Sequence, residues 1–532
     1  MKYLRSPHKY SIAVLVLFLA SLAAGLPPAN LAAVPTTSVD SITPTELRMH
    51  LAFLSSEELG GRYTLSPSFA IVARYLAAQL ESYGFQGGGD HGDFLQHFVV
   101  ISSKPDMEKT SLSITDQGQT TNYSFGDFYA SSGGSDGKAE GQVVFVGGGV
   151  SSPSQHHDDY ANLEVKGKIV LVANIIPEGI DPSRLQRNES GERAAFAHGA
   201  VGVLRIPQQR FLELMKAPGF KERFGGREDV HLAQEADNHA PVLVLSPALA
   251  EKMLSSMGLS LKKVQDAERD HMALAAKVTN ITVSMNVVYH QRQVTTQNVI
   301  GRLEGTDPQL KKEYVIFSAH YDHLQTNDKG EIYPGADDDG SGTTSVLAIA
   351  RAMALDPPKR SVLVVFHAGE ELGLLGSEYN TDFSPAVPLD SVLADLNIDM
   401  IGRSKPPGDE DRLDAHLTDA NTIYLVGSNR ISKELHKISE QTNSDYQKLK
   451  LDYYYNDPTN PERIYFRSDH WNYAKHGIPV IFYFDGTHAD YHKTTDTIDK
   501  IDFNKMTRVA RLVFETGWRL ANLDHRLARD SN

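Results

Sequence analysis

The chain has 532 residues, 41% of them hydrophobic, and contains no cysteine. This length is enough for about three domains with substantial apolar cores. The lack of thiols excludes disulfides and a lipid-modified cysteine anchor. A formal net charge of -15 argues against nucleic acid or an anionic membrane surface as a partner.

The first 33 residues have the pattern of a secretory signal peptide. Lys2, Arg5 and Lys9 precede an apolar run from 12 to 26, and alanines after it offer several cleavage points. An uncleaved anchor is the alternative, but the run is short for a membrane span. We therefore expect a secreted or periplasmic protein with no stable membrane anchor after cleavage.

Two helices are predicted next. A capping box containing Thr43 and Glu46, with Pro44 at the first helical position, starts the first helix. The second has apolar residues at helical spacing and stops near Gly84. Arg62 lies between them and is interpreted as a packing or loop-anchoring residue.

Residues 137–288 have a different sequence pattern, in which short β-prone runs are separated by glycine turns. They contain no second set of catalytic side chains. The polar cluster His156, His157, Asp158 and Asp159 is interpreted as a solvated loop rather than a metal site.

Four later apolar, β-prone runs lead into metal-ligand residue types. Residues 314–317 precede His320 and Asp322, 361–366 precede Glu370 and Glu371, 392–398 precede Asp399, and 479–484 precede Tyr491 and His492. Because active sites of open α/β sheets lie at the carboxyl ends of the strands, we expect these side chains on one rim.

An acidic loop, Asp337 to Asp339, precedes a predicted helix over 343–353, where negative charge is electrostatically favourable. A calcium loop is the alternative, but EF-hand acids occur at alternate positions and these are consecutive. Histidine combined with carboxylates favours zinc or a similar borderline metal.

The strings SAHYDHL, PGADDDGSG, HAGEELGLLGS, NIDMIGR and DYHKTTDT resemble the motif series of the co-catalytic di-zinc aminopeptidase family. That family includes secreted bacterial leucyl aminopeptidases and glutamate carboxypeptidases. The resemblance implies an α/β fold, with a mixed, mostly parallel central sheet flanked by helices, formed by residues 41–136 and 289–525. Residues 137–288 resemble an inserted β-rich protease-associated domain through KGKIVLV, AAFAHGAVGVL and PVLVLS.

The resemblance also implies residue roles. Two Zn²⁺ ions per chain would be held by five ligands, with Asp338 bridging: His320, Asp338, Glu371, Asp399 and His492. Three carboxylates and a bridging hydroxide would neutralise the two divalent ions. Glu370 would be the general base, Asp322 would orient His320, and Tyr491 could donate a hydrogen bond to the developing oxyanion.

These roles imply an exopeptidase that removes amino-terminal residues from peptide substrates. A carboxypeptidase or dipeptidase of the same family is an alternative, because the ligand set does not decide the direction of attack. A glutaminyl cyclase-like acyltransferase with one zinc and an inactive receptor-like module are the others. Arg467 and Tyr453 to Tyr455 are candidate substrate contacts, and the insert could cover the site or limit substrate size.

Overall fold

The computed structural model describes residues 31–130, 136–186, 188–216, 220, 228–235, 240–327 and 329–530. The predicted signal peptide lies, up to residue 30, outside the described residues. Among the residues that are described, no helix combines the length and apolarity that crossing a bilayer requires.

The predicted helices form where the local signals placed them. Thr43 Oγ1 accepts a hydrogen bond from Glu46 N (3.3 Å) at the start of Pro44–Leu54, which confirms the predicted cap. The α-helices described are Thr36–Ser41, Pro44–Leu54, Pro67–Ser82, Gly191–Ala197, Gln209–Met215, Pro247–Ser256, Leu261–Arg269, Gly340–Leu355, Leu375–Glu378, Lys433–Asp445, His470–Ala474 and Phe503–Ala521.

The larger sheet, called the first sheet below, is mixed. Its strands, in spatial order, are Asp229–Leu232, Leu95–Pro105, Tyr289–Leu303, Ser361–His367, Tyr314–His320, Val392–Ile398, Val480–Phe484, Thr422–Val426 and Lys450–Asp452, with Gln86–Gly87 paired to Tyr289–Leu303.

Four neighbouring strands at the centre of the first sheet are parallel: Ser361–His367, Tyr314–His320, Val392–Ile398 and Val480–Phe484. They are buried along almost their whole length, because helices such as Gly340–Leu355 pack on the sheet. Their carboxyl ends therefore share one edge, as the sequence predicted.

The second sheet has the strand order Gln119–Tyr123, Ser111–Asp116, Lys277–Val287, Gly137–Phe145, Ile169–Val172, Gly202–Arg205, Val242–Leu245 and Phe128–Ala130. It has its own apolar core, in which residues such as Phe145, Leu171 and Leu243 are fully buried.

The second sheet starts before the boundary predicted at residue 137. Strands from Ser111 to Ala130 pair with Lys277–Val287 and Val242–Leu245, because their inward side chains, such as Leu112 and Phe128, join the second core. In return, Asp229–Leu232 leaves this region and pairs with Leu95–Pro105 of the first sheet. The mixed α/β fold class predicted from the sequence is confirmed.

Candidate metal centre

The carboxyl edge of the four parallel strands collects the predicted ligands. His320 ends its strand and pairs in register with His367, the last residue of the neighbouring strand. Glu371 follows that neighbour, and Asp399 follows Val392–Ile398 directly. Three separate chain segments thus deliver side chains to one place, because their strands are parallel neighbours.

One candidate ligand group consists of His320, Asp338 and Asp399. His320 Nε2 lies 3.3 Å from Asp338 Oδ1 and 3.5 Å from Asp399 Oδ1. All three side chains are buried. One imidazole and two carboxylates at these separations form a donor set that suits zinc.

A second group lies on the other side of Asp338. His492 Nε2 is 3.1 Å from both Asp338 Oδ2 and Glu371 Oε2. His323 Nδ1 is 2.8 Å from Glu371 Oε1 and 3.8 Å from Asp338 Oδ2. His323 forms a candidate metal group with these two carboxylates, and His492 offers an alternative imidazole at a similar distance from them.

Asp338 belongs to both groups, and each of its oxygens faces a different one. Although their neighbours lie within 3.5 Å, His320 Nε2 and Asp338 Oδ2 make no aligned hydrogen bond to any described residue. Buried polar atoms are normally satisfied. Converging nitrogen and oxygen atoms that do not bond to each other are what a cation would satisfy, so these residues fit the zinc that the motifs imply.

The two aspartates beside Asp338 have structural partners. Asp339 Oδ1 accepts from Gly342 N (2.8 Å) and so caps helix Gly340–Leu355, as expected for an acid at a helix start. Asp337 Oδ1 accepts from Gly402 N (2.7 Å), and its Oδ2 lies 3.2 Å from His488 Nε2. Of the three acids only Asp338 enters the site.

Gly342 permits close packing of the helix start against the Asp399 segment. A Cβ at this position would lie 2.5 Å from Ile398 O and 2.3 Å from Asp339 Oδ1. Any side chain here would therefore push the helix away from the strand end that carries Asp399.

Asp322 is fully buried behind His320. Its carbonyl lies 3.2 Å and its Oδ1 3.7 Å from His320 Nδ1, and Oδ1 also accepts from Glu370 N at 3.2 Å. This geometry suits the orienting role that the resemblance implied, because metal-bound histidines normally donate their second ring nitrogen to such a group.

The sequence reasoning missed His323. This histidine is fully buried and fixes the Glu371 carboxylate from the side opposite His492. The signal was available in the string SAHYDHL, where a second histidine follows His320 by three residues.

Electrostatics follow from this crowding of charges. Burial disfavours the charged imidazolium, but contact with Asp338 and Glu371 raises the pKa of His492 to about 10. Burial likewise opposes ionisation of Asp338, yet His323, His320 and His492 hold its pKa well below the ordinary value. In the metal-free protein, a proton on His492 thus balances the neighbouring carboxylates, and metal binding would displace it.

Glu370 lines a cleft together with Asp338 and Asp399. Burial, reinforced by the carboxylates of Glu371 and Asp399, raises its pKa well above the ordinary value. A carboxyl group that holds its proton more tightly than usual beside a metal group has the character of a general acid or base.

Tyr491 and Arg467 lie on the same cleft. The Tyr491 hydroxyl accepts a hydrogen bond from Arg467 Nη2 at 3.1 Å. Burial and the Asp338 and Glu371 carboxylates raise the Tyr491 pKa, so the phenol keeps its proton and remains a donor. Tyr453 to Tyr455 are not among the described residues that line this cleft.

The remaining lining is apolar: Met400, Ile464, Phe482 and Phe484, with Thr487 at the edge. The site thus combines a carboxylate-rich wall with an apolar recess. The sheet is mixed rather than mostly parallel as predicted, since only its central strands and one edge pair are parallel. Metal-ligand side chains at the carboxyl ends of such central parallel strands are typical of the class of metallohydrolases.

Comparison with known proteins narrows this class. The model of Peptidase family M28 matches residues 298–517. A probable leucine aminopeptidase 2 of Aspergillus oryzae is 35% identical over 126 residues, 24% of this chain and 24% of that protein. Aminopeptidase YwaD of Bacillus subtilis is 31% identical over 141 residues, 26% of this chain and 29% of that protein.

Among solved structures, an aminopeptidase from Aneurinibacillus sp. strain AM-1 shares the fold. It has a TM-score of 0.55 and 18% identity, covering 93% of this chain and 97% of that chain. The alignments with the two curated relatives span less than a third of those proteins' lengths. Residues 298–517 match Peptidase family M28, which supports the co-catalytic zinc aminopeptidase family predicted from the sequence.

Proposed function

We propose that this protein is a zinc-dependent aminopeptidase that removes amino-terminal residues from peptides. The observation that carries the proposal is the arrangement at Asp338, whose two oxygens face two separate groups of histidine and carboxylate ligands. This arrangement supports two ions sharing one aspartate. A single-zinc acyltransferase would need neither the second group nor a shared carboxylate.

Under this proposal, one ion would be held by His320, Asp338 and Asp399. The other would be held by Asp338, Glu371 and His492, because His492 Nε2 is equally distant from the two carboxylates. His323 then orients Glu371 by contacting its other oxygen. When bound, zinc polarises the scissile carbonyl and lowers the pKa of water.

The chain's own residues supply the proton transfers. Glu370 takes a proton from the attacking water and passes it to the leaving amine. Its backbone N–H is held by Asp322, which ties the base to the His320 segment. Tyr491 donates its hydroxyl proton in a hydrogen bond to the developing oxyanion, and Arg467 positions that hydroxyl.

The apolar recess formed by Met400, Ile464, Phe482 and Phe484 suits an apolar amino-terminal side chain. The acidic side chain of Asp399, which also lines the cleft, favours the substrate ammonium group electrostatically. We therefore expect leucine or phenylalanine at the amino terminus to be preferred over lysine or glutamate.

One observation favours a second candidate, a carboxypeptidase or dipeptidase. Arg467 places an exposed guanidinium on the cleft, and its described polar contact is the uncharged Tyr491 hydroxyl. A guanidinium is well suited to bind the terminal carboxylate of a short peptide.

A blocked-peptide panel distinguishes the two functions. Leu-Gly-Gly-Phe would be offered unmodified, amino-acetylated or carboxyl-amidated, and the products followed by mass spectrometry. An aminopeptidase releases leucine from the unmodified and amidated peptides and leaves the acetylated one intact. Release of phenylalanine from the acetylated peptide would establish the carboxypeptidase instead. No release from any of these tetrapeptides would contradict both the aminopeptidase and the carboxypeptidase and would leave only the dipeptidase.

We further propose that the protein is exported and that the second sheet is a protease-associated domain covering or restricting the site. Residues 1–33 support export through their charge and apolarity pattern. Amino-terminal sequencing of protein recovered outside the cytoplasm tests this directly. A mature chain that still begins at Met1 would contradict it.

A further inference from the structure

Arg62 lies at the end of the turn Glu57–Arg62, more than 200 positions before the segment matched by the peptidase family model. Its side chain is only 1% exposed and its backbone is left-handed, with φ 57°. A buried guanidinium in a disfavoured backbone conformation is costly and needs compensating contacts.

Those contacts are backbone carbonyls, and they occupy all five N–H groups of the guanidinium. Nε donates to Tyr321 O at 3.1 Å. Nη1 donates to Leu54 O at 2.8 Å and to Pro334 O at 2.6 Å. Nη2 donates to Gly335 O at 2.9 Å and, over a longer 3.5 Å, to Asp338 O.

Three of the five carbonyls belong to the turn 334–338, which ends at Asp338. Gly335 has φ +55°, and a Cβ there would lie 2.3 Å from Asp338 O, so the turn is tightly closed. The carbonyls of Pro334, Gly335 and Asp338 all accept hydrogen bonds from the Arg62 guanidinium.

The N–H groups of the same turn are held on the other side. Asp496 Oδ2 accepts from Asp337 N at 3.0 Å and from Asp338 N at 3.2 Å. The backbone on both sides of the Asp338 side chain is therefore fixed between one arginine and one aspartate from distant parts of the chain.

Two residues further on, Thr64 reaches the other half of the site. Its hydroxyl donates to Asp322 Oδ2 at 2.8 Å, and both residues are buried. Asp322 in turn faces His320 and holds Glu370 N. Arg62 O also accepts from His323 N at 3.3 Å.

We propose that residues 62–64 form a positioning strap for the metal centre, in which Arg62 holds the turn carrying Asp338 and Thr64 holds the aspartate behind His320. The inference rests on the proposed function, since it concerns the site's affinity for zinc. It makes the amino-terminal segment part of the metal site, although that segment supplies no ligand.

The variant Arg62→Lys separates the effect of hydrogen-bond geometry on zinc affinity from the effect of the positive charge. Removing the charge altogether would make the site more negative and so favour a cation, which would mask any loss of positioning. Lysine keeps the charge but has three donors on one nitrogen, and cannot reproduce the planar five-donor fork. A loss of zinc affinity in Arg62→Lys therefore reports positioning.

Arg360→Lys is the matched control. Arg360 is also fully buried and bonds backbone carbonyls, namely Leu523 O and His525 O, in addition to Glu313. It precedes strand Ser361–His367 and so lies at the edge of the sheet opposite the site. Its substitution removes comparable bonds without touching the metal centre.

Zinc affinity would be measured on the full chain by competition with a chromophoric chelator, with kcat and KM determined at saturating zinc. We expect Arg62→Lys to bind zinc about 10- to 100-fold more weakly, with lower kcat and little change in KM. Arg360→Lys should lower the thermal midpoint yet keep wild-type zinc affinity.

Wild-type zinc affinity in Arg62→Lys, or an equal loss in Arg360→Lys, would overturn the inference. Should Arg62→Lys not fold, Thr64→Val decides the matter, because it removes one hydroxyl at nearly constant volume. A reduced zinc affinity in Thr64→Val supports the strap and an unchanged affinity overturns it. Wild-type protein that binds no zinc would overturn the proposed function itself.

Discussion

The two sheets both contain four neighbouring parallel strands, but the residues that follow those strands differ. In the first sheet they are followed by histidines, aspartates and glutamates that meet at one edge. In the second sheet, Gly137–Phe145, Ile169–Val172, Gly202–Arg205 and Val242–Leu245 are followed by Val146, Ala173, Ile206 and Ser246. Within the described residues, only the first sheet carries candidate metal groups.

The difference shows that parallel strands create a place for a site and that the residues after them decide whether one exists. The two sheets also differ in the energetic cost of the groups that they bury. The first sheet buries Asp337, Asp338 and Asp339 together at its edge, an arrangement that destabilises a protein unless the charges are compensated. The second sheet has a mainly apolar core.

Replacing Asp338 by asparagine should have the largest effect, because it removes the metal-binding property that distinguishes the first sheet from the second. Asparagine cannot supply a charge to both ligand groups, so we expect zinc content to fall from about two ions per chain and activity to be lost. Elemental analysis of dialysed protein measures this change. Asp337→Asn, next in the chain but facing His488, is the control, and the hypothesis fails if both variants retain full zinc.

Glu370→Gln should give the next largest effect. The amide keeps the shape of the side chain but cannot accept a proton, so kcat should fall about 10²- to 10⁴-fold while zinc remains bound. Glu410→Gln, on an exposed loop, should behave as wild type. Near-normal turnover in Glu370→Gln would remove this residue from its proposed role.

Removing the metal should lower the stability of the first sheet and leave the stability of the second sheet unchanged. Ligand binding stabilises a folded state by about 4 kcal/mol at a thousand-fold excess over Kd, and this stabilisation should be confined to the first sheet. Hydrogen exchange with and without chelator measures it by segment. Loss of protection in Tyr314–His320 with unchanged protection in Ile169–Val172 is expected, and equal loss in both would contradict the comparison.

The smallest effect should come from the polar cluster of the second sheet region. His157 Nε2 contacts Asp159 Oδ1 at 2.9 Å, as a partly exposed pair. Such pairs contribute about 0–1 kcal/mol, so His157→Ala should change neither zinc content nor activity. A measurable drop in zinc per chain would show that the second sheet also binds metal.

Much of the site was predictable because its ligands follow local patterns. The apolar runs 314–317, 361–366 and 392–398 predicted strands, and the structure confirms them as buried strands that end at His320, His367 and Ile398. Asp339 could be recognised as a residue at a helix start. The partners of His323 and Arg62 could not be predicted, because both depend on chain segments far away in sequence.

The boundary of the second sheet shows the same limit. Composition indicated a change near residue 137, yet Ser111–Asp116 joins the second sheet and Asp229–Leu232 joins the first. The composition of a short strand does not predict which of two sheets it joins, because its pairing depends on which neighbouring strand buries its apolar face.

By itself, the sequence determined the family, the strand and helix types and the residue kinds at each strand end, because hydrophobic periodicity and motif spacing are local properties. The tertiary structure alone decided that His323 lies against Glu371 and that Arg62 holds the turn that carries Asp338. These are contacts between distant segments, which form only when the sheet and its packed helices bring those segments together.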